Sequence, residues 1–330
     1  MNADGTGRGS TGALVAAFFL TSLLLVPVHL MVRPPMLLAE RFVKGTGWIE
    51  ILLLCLYSAW LTRKIIDPGQ APRFRLFAWK LFAIVFFLQL GLGIAGFDKF
   101  LMTGKLHLPV PALIVAGPLY RGGGLFMLIL FSATVLLVGP AWCSYLCYVG
   151  AFDGMAAAAR KKPVVIPKAA GYVRIFSLVV IVVAALALRA FRVGPCTAAW
   201  LAGGFGLAGV GVMVALSRRA GVMVHCTSYC PLGLVAVLLA KLNPFRIRIA
   251  KSCTQCGACT TSCRYNALRA KDIERRKPAL SCTLCGDCIN SCRSNSIGYN
   301  LFGLSRDTSR KIFLVMVISI HAAFLGLARI

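Results

Sequence analysis

Acidic side chains are scarce in this sequence. Ten Asp and Glu stand against 36 Lys and Arg, a formal charge of +26, and charged residues make up only 14% of the 330. A soluble domain carries roughly a quarter. With 58% hydrophobic residues and a mean hydropathy of +0.80, this balance excludes an ordinary soluble chain and points to an integral membrane protein. Nucleic-acid-binding motifs are also missing. The basic excess therefore reads as Lys and Arg gathered on the cytoplasmic side against anionic lipid, and no nucleic-acid partner is expected. No small-residue cleavage site follows the apolar stretch 11–32, which predicts a retained first span. Neither a Ser/His/Asp triad nor a phosphate-binding loop is visible. The stretch GGFGLAGVG at 203–211 has no strand before it, which excludes a dinucleotide fingerprint and predicts close helix packing.

Long uncharged runs are present instead. Residues 11–32, 76–97, 123–142, 172–188, 198–216 and 312–328 approach the ~20 apolar residues a bilayer span needs. A weaker candidate, 48–61, is short and carries Glu50, although Trp48 and Trp60 suit the two interfacial belts. Residues 222–240 are apolar but contain Cys226, Cys230 and Pro231, so a dipping or interfacial helix is expected there.

The sequence holds 14 cysteines, mostly in tight sets, which favours metal ligation over disulfides. CTQCGACTTSC begins at Cys253 and CTLCGDCINSC at Cys282. Both read C-x2-C-x2-C-x3-C, the signature of bacterial two-cluster ferredoxins, in which the fourth cysteine serves the other cluster. The spacing assigns Cys253, Cys256, Cys259 and Cys292 to one [4Fe-4S] centre and Cys282, Cys285, Cys288 and Cys263 to a second. Gly257 and Gly286 allow the tight curl. Zinc is the alternative occupant of four-cysteine sites, but it usually takes two separated C-x2-C knuckles. Such runs commonly end in C-P; here Arg264 and Arg293 follow the fourth cysteines. Residues 241–311 carry 14 Lys and Arg against 4 Asp and Glu. Two readings stand: this charge raises the cluster potentials, or it meets anionic lipid.

A second repeat lies next to the apolar runs. WCSYLCYVG starts at Trp142 and HCTSYCPLG at His225, both C-[S/T]-x-x-C-x-x-G. From residue 123 onward the chain resembles the NapH/NosR/CcoG-like family of membrane polyferredoxins, which combine several spans, two C-x3-C-P motifs and a C-terminal two-cluster ferredoxin. The motif maps onto Cys143, Cys147, Cys226, Cys230 and Pro231, with Tyr148 in place of the first Pro. The resemblance implies a quinol dehydrogenase or electron-relay component of the bacterial inner membrane. Quinone or quinol would be one partner and a redox protein docked on the basic cytoplasmic face another. It also admits copper reduction, and a membrane anchor for a larger redox complex is a third reading. The four cysteines fit a third cluster, a copper site or a redox disulfide.

The expected fold is an all-α polytopic membrane protein of six to seven helices with a small inserted 2[4Fe-4S] domain. Its parts are a helical domain at 1–240, a ferredoxin-like domain at 241–305 and a last span at 306–330. Seven spans place both cysteine pairs and the ferredoxin runs on one side. Short-loop Lys and Arg are balanced between sides; Arg218, Arg219, Arg306, Arg310 and Lys311 tip the cysteine side to the cytoplasm. Within the spans, His29 and His321 are candidates for quinol contact or for a haem. Glu50 and Asp98 accept quinol protons or sit at a solvated interface. Cys55 and Cys196 read as plain buried or loop thiols, His225 as an interfacial polar residue, and Asp153 as the partner of a nearby Lys or Arg.

Overall fold

The computed structural model describes residues 4–101, 108–167 and 169–327. Residues 102–107 and Ala328, the end of the last expected span, lie outside them. The chain is mostly helical. Six helical stretches among the described residues are long and apolar enough to cross a membrane: Thr11–Met31, Ala71–Ile94, Phe126–Leu146, Ala170–Ala190, Pro195–Ala220 and Arg306–Leu327. These overlap the six strong candidates of the sequence, and they fit an integral membrane protein. The weaker candidate forms a longer helix than expected, Gly47–Ile66, of 20 residues. It reaches the ~30 Å of a bilayer core, yet Glu50, Arg63 and Lys64 keep it from the same apolar class.

By contacts the chain divides into two units, Met1–His107 with Tyr299–Ile330, and Leu108–Gly298. In the first unit, helices Asp4–Met31, Gly47–Ile66 and Arg306–Leu327 pack together. Their shared polar point is the Ala17 carbonyl. It accepts from Thr21 Oγ1 at 2.8 Å, Ser58 Oγ at 3.2 Å and Ser319 Oγ at 3.2 Å. Small hydroxyls tie helices in this way where water is excluded. Around this point Leu25, Leu37, Ile51, Leu54, Cys55 and Ala323 form an apolar cluster, so Cys55 is a packing thiol. Arg310 closes the end of the Gly47–Ile66 helix by donating to the carbonyls of Ile65 and Ile66. Glu50 is not simply solvated. Its Oε2 accepts the Ala39 amide at 2.8 Å, near the start of the short Leu38–Phe42 helix.

The second unit holds both cysteine repeats. The Phe126–Leu146 stretch ends in a wide π-turn, Trp142–Leu146, and the helix Tyr148–Ala158 follows. The second copy repeats this backbone: π-turn His225–Tyr229, then helix Pro231–Leu239. The apolar stretch 222–240 is therefore a broken element rather than one helix. Glycines serve packing in the Pro195–Val212 helix. A Cβ on Gly206 would meet Val110 at 2.8 Å, and one on Gly209 would meet the His225 ring at 2.7 Å. Strand Arg246–Ile249 pairs with strand Ile297–Asn300, and the two ferredoxin-type runs lie between them in sequence.

Candidate iron–sulfur sites

Cys143, Cys147, Cys226 and Cys230 line one pocket together with His225, Gly150 and Gly233. Each of the four sulfurs lies within electrostatic reach of the other three. The repeated motif explains this convergence. In each copy the first cysteine sits in a π-turn, and the second leaves it with an extended backbone, ψ 111° at Cys147 and 115° at Cys230. The second cysteine's amide closes the turn, donating to Trp142 O at 2.9 Å in one copy and His225 O at 2.7 Å in the other. Tyr148 and Pro231 both occupy the first helical position, where Pro is tolerated but not required. The missing Pro in the first copy thus leaves the local backbone unchanged. The final glycine of the motif also has a role. Gly150 N donates to Cys147 Sγ at 3.4 Å, and the Gly233 amide points at Cys230 sulfur in the same way.

Three residues around this pocket add to the sequence-based account. Among the described residues Asp153 makes no ion pair with a Lys or Arg. It is fully buried, and its Oδ2 accepts the Cys226 amide at 2.9 Å, linking the two copies. Burial pushes its carboxyl up to about 6. His225 is buried within the protein, 6% exposed, and packs against Tyr229 at 5.3 Å. Burial pushes its ring down to about 4, so the imidazole is neutral at pH 7. The third, Arg174, has no counterpart among the sequence-based candidates. It lies in a membrane-length helix, is 7% exposed, and its Nε donates to Cys230 O at 3.2 Å. The signal that would have found it is an ionisable residue inside an apolar span.

The two ferredoxin-type runs fold as matched turns. Gln255 and Leu284 take left-handed backbone, φ 54° and 58°, each one residue before a motif cysteine. Gly257 and Gly286 follow at φ 73° and 82°, a conformation glycine adopts without Cβ strain. Asn266 and Asn295, three residues past the fourth cysteines, are left-handed as well, φ 51° and 48°. That twist turns the next amide back on the sulfur: Ala267 N to Cys263 Sγ and Ser296 N to Cys292 Sγ, both 3.3 Å. Amide-to-sulfur bonds of this kind favour thiolate ligands.

The thiols fall into two groups. Cys259 lies within electrostatic reach of Cys253, Cys256 and Cys292. Cys288 lies within reach of Cys285, Cys282 and Cys263. The first group is the outer one, because Cys256 is exposed. There the Ala258 amide holds the thiol below its ordinary range. The second group is deeper, and burial pushes Cys282 up to about 12. A thiol so placed becomes a ligand only when a metal displaces its proton.

The inner group abuts the four-cysteine pocket. Tyr265 OH donates to Cys143 O at 3.4 Å, and Ser144 Oγ to Thr283 O at 3.2 Å. Arg264 is held by backbone carbonyls. Its guanidinium donates to Arg160 O at 2.7 Å and Gly221 O at 2.8 Å, with a longer bond to Ala157 O. These carbonyls close the ends of the Tyr148–Ala158 and Arg218–Ala220 helices, where cations are favoured. Arg293 is exposed.

The remaining candidates are scattered. His321 is fully buried and shares a hydrogen bond with Tyr57 OH at 3.1 Å, beside Phe82. His29 stacks edge-on to Trp48 at 4.9 Å. The two histidines thus have different neighbours. Asp98 lies in a short 3-10 turn and Cys196 is exposed.

The donor chemistry fits iron–sulfur clusters: all-cysteine groups, amides aimed at sulfur, and glycines where the backbone must approach. Among the described residues no three His, Cys, Asp or Glu side chains converge closely enough to hold a single metal ion. A cubane, with its irons at separate corners, spreads its thiols wider than one ion does. Fold and sites together define an iron–sulfur protein built on membrane-length helices. A family described as a 4Fe-4S binding domain matches residues 120–167 and again 202–250, less than half of the chain. Each match holds one C-x3-C pair, and neither reaches the ferredoxin-type runs. No curated protein and no solved structure matches the chain.

Proposed function

We propose that the protein is a membrane-embedded electron-transfer component that carries electrons between the quinone pool and a redox partner, as a quinol dehydrogenase of the bacterial inner membrane does. The observation that carries this reading is the contact between the four-cysteine pocket and the inner ferredoxin group, through Tyr265–Cys143 and Ser144–Thr283. It supports a three-station order. The pocket of Cys143, Cys147, Cys226 and Cys230 holds one [4Fe-4S] cluster, Cys263, Cys282, Cys285 and Cys288 a second, and Cys253, Cys256, Cys259 and Cys292 a third. The clusters supply one-electron redox chemistry; the protein supplies spacing, burial and charge. Oxidation of one quinol releases two electrons and two protons; His321, bonded to Tyr57, would take one proton and water the other. The ferredoxin-type runs face the cytoplasm in this reading. A redox partner with acidic residues docks near exposed Cys256, where Lys251 and Arg293 are also exposed.

Iron and acid-labile sulfide per chain test the cluster count after anaerobic purification. About twelve irons are expected, falling to about eight when Cys143, Cys147, Cys226 and Cys230 are all changed to Ala. About eight in both proteins overturns the third cluster and makes copper or disulfide chemistry the account of the pocket. Oxidation of decylubiquinol by the purified protein tests the quinol step, and an inactive, fully loaded protein overturns it. Reoxidation by ferricyanide, an anionic acceptor, tests the docking face: Lys251→Glu with Arg293→Glu should slow it, and an unchanged rate excludes that face.

A further inference from the structure

Arg174 presents an unresolved charge. A guanidinium stays protonated in proteins, and burying an uncompensated ion costs several kcal/mol. Arg174 is 7% exposed inside the Ala170–Ala190 helix. Among the described residues it makes no ion pair with a carboxylate; the ion pairs join Arg269 to Asp272 and Lys311 to Asp307. Its hydrogen bond goes to the Cys230 carbonyl. The second copy of the motif makes room for it: a Cβ on Gly233 would stand 2.4 Å from Arg174 Nη2. The groups it acts on electrostatically are Cys230, Cys143 and Cys226.

We propose that Arg174 is the counter-charge of the four-cysteine site, that this site is net anionic in the folded protein, and that Arg174 raises its reduction potential. Four neutral thiols, or two disulfides, would leave the guanidinium buried without an opposite charge. A metal centre bound by four thiolates supplies one. The inference rests on the reading that these cysteines hold a redox centre, and it adds the sign of the site's charge and the residue that offsets it. Reduction adds one electron to the centre and makes it more negative, with no bond made or broken. A fixed positive charge beside it favours that form.

The test is a dithionite titration of the full-length protein in detergent, followed by electron paramagnetic resonance, for wild type, Arg174→Lys and Arg174→Met. Arg174→Met should lower the reduction equilibrium constant of the four-cysteine centre at least tenfold, about 59 mV for one electron. Arg174→Lys should stay within about threefold of wild type, because it keeps the charge. An unmoved midpoint in Arg174→Met overturns the proposal, as does an equal fall in both variants. Should Arg174→Met lose the centre, its retention in Arg174→Lys supports the counter-charge, and loss in both overturns it.

Non-reducing mass analysis of the wild type separates this inference from the cluster reading. Two disulfides among the four cysteines overturn the counter-charge. Four thiols shielded from iodoacetamide by a metal other than iron sink only the cubane and support an anionic site.

Discussion

Asp153 Oδ2 accepts the amide of Cys226 at 2.9 Å. One residue belongs to the helix after the first C-x3-C pair and the other to the second pair, so the bond joins the two copies at the pocket they share. Removing it leaves a buried amide unpaired, which costs roughly 1–3 kcal/mol. Asp153→Ala should lower the thermal midpoint and the iron content together. Asp153→Asn keeps an acceptor and should recover most of both. Equal losses in the two variants would mean that the carboxylate charge, not the bond, matters.

Two glycines in one helix separate packing from backbone freedom. A side chain on Gly209 presses on His225, whereas Gly211 faces open space. Gly209→Ala should destabilise by about 1–3 kcal/mol through overpacking. Gly211→Ala should be neutral or stabilise by up to about 1 kcal/mol, as Gly-to-Ala exchange does in a helix interior. Thermal unfolding of the two variants, followed by circular dichroism, checks the contrast.

Single cysteine replacements should report on separate sites. Cys256→Ser should remove about four irons from the outer group, and Cys282→Ser about four from the inner one. Cys55→Ser and Cys196→Ser should leave iron unchanged. An iron loss in Cys196→Ser would show a ligand that the grouping omits.

Arg264 and Arg293 follow equivalent cysteines but do different work. Arg264 donates to carbonyls of two helices, while Arg293 is exposed. Bonds to charged groups contribute about 1.5–3 kcal/mol each, so Arg264→Ala should destabilise by on the order of 3 kcal/mol. It should also open residues 241–298 to limited proteolysis. Arg293→Ala should do neither. Equal protection of both variants would remove the anchoring role.

Much of the architecture is written in local sequence. The six apolar helices follow from uncharged runs of bilayer length, and the grouping of thiols follows from cysteine spacing, because a short step along a turning backbone leaves little choice of direction. The 48–61 candidate is shorter than its helix because Glu50 interrupts the apolar run and Arg63 and Lys64 follow it, while the helix spans Gly47–Ile66. What spacing does not carry is the tertiary approach. Nothing near Asp153 in sequence names Cys226 as its partner, 73 positions away. Nothing in the local sequence around Arg174 names the second cysteine pair, 56 positions away, as its neighbour. The last glycine of C-x-x-C-x-x-G repeated visibly, but its purpose lies in an amide aimed at sulfur, which only the folded turn displays.

The Arg264 clamp bears on biogenesis. Cys288 of the inner group is buried and Arg264 ties its segment to two helix ends, whereas Cys256 of the outer group is exposed. On the proposed assignment the two stations differ in access, and the outer group, open at Cys256, is the easier one to fill or repair. Pulse-labelling with ⁵⁷Fe after folding should therefore exchange iron faster at the outer station than at the inner one.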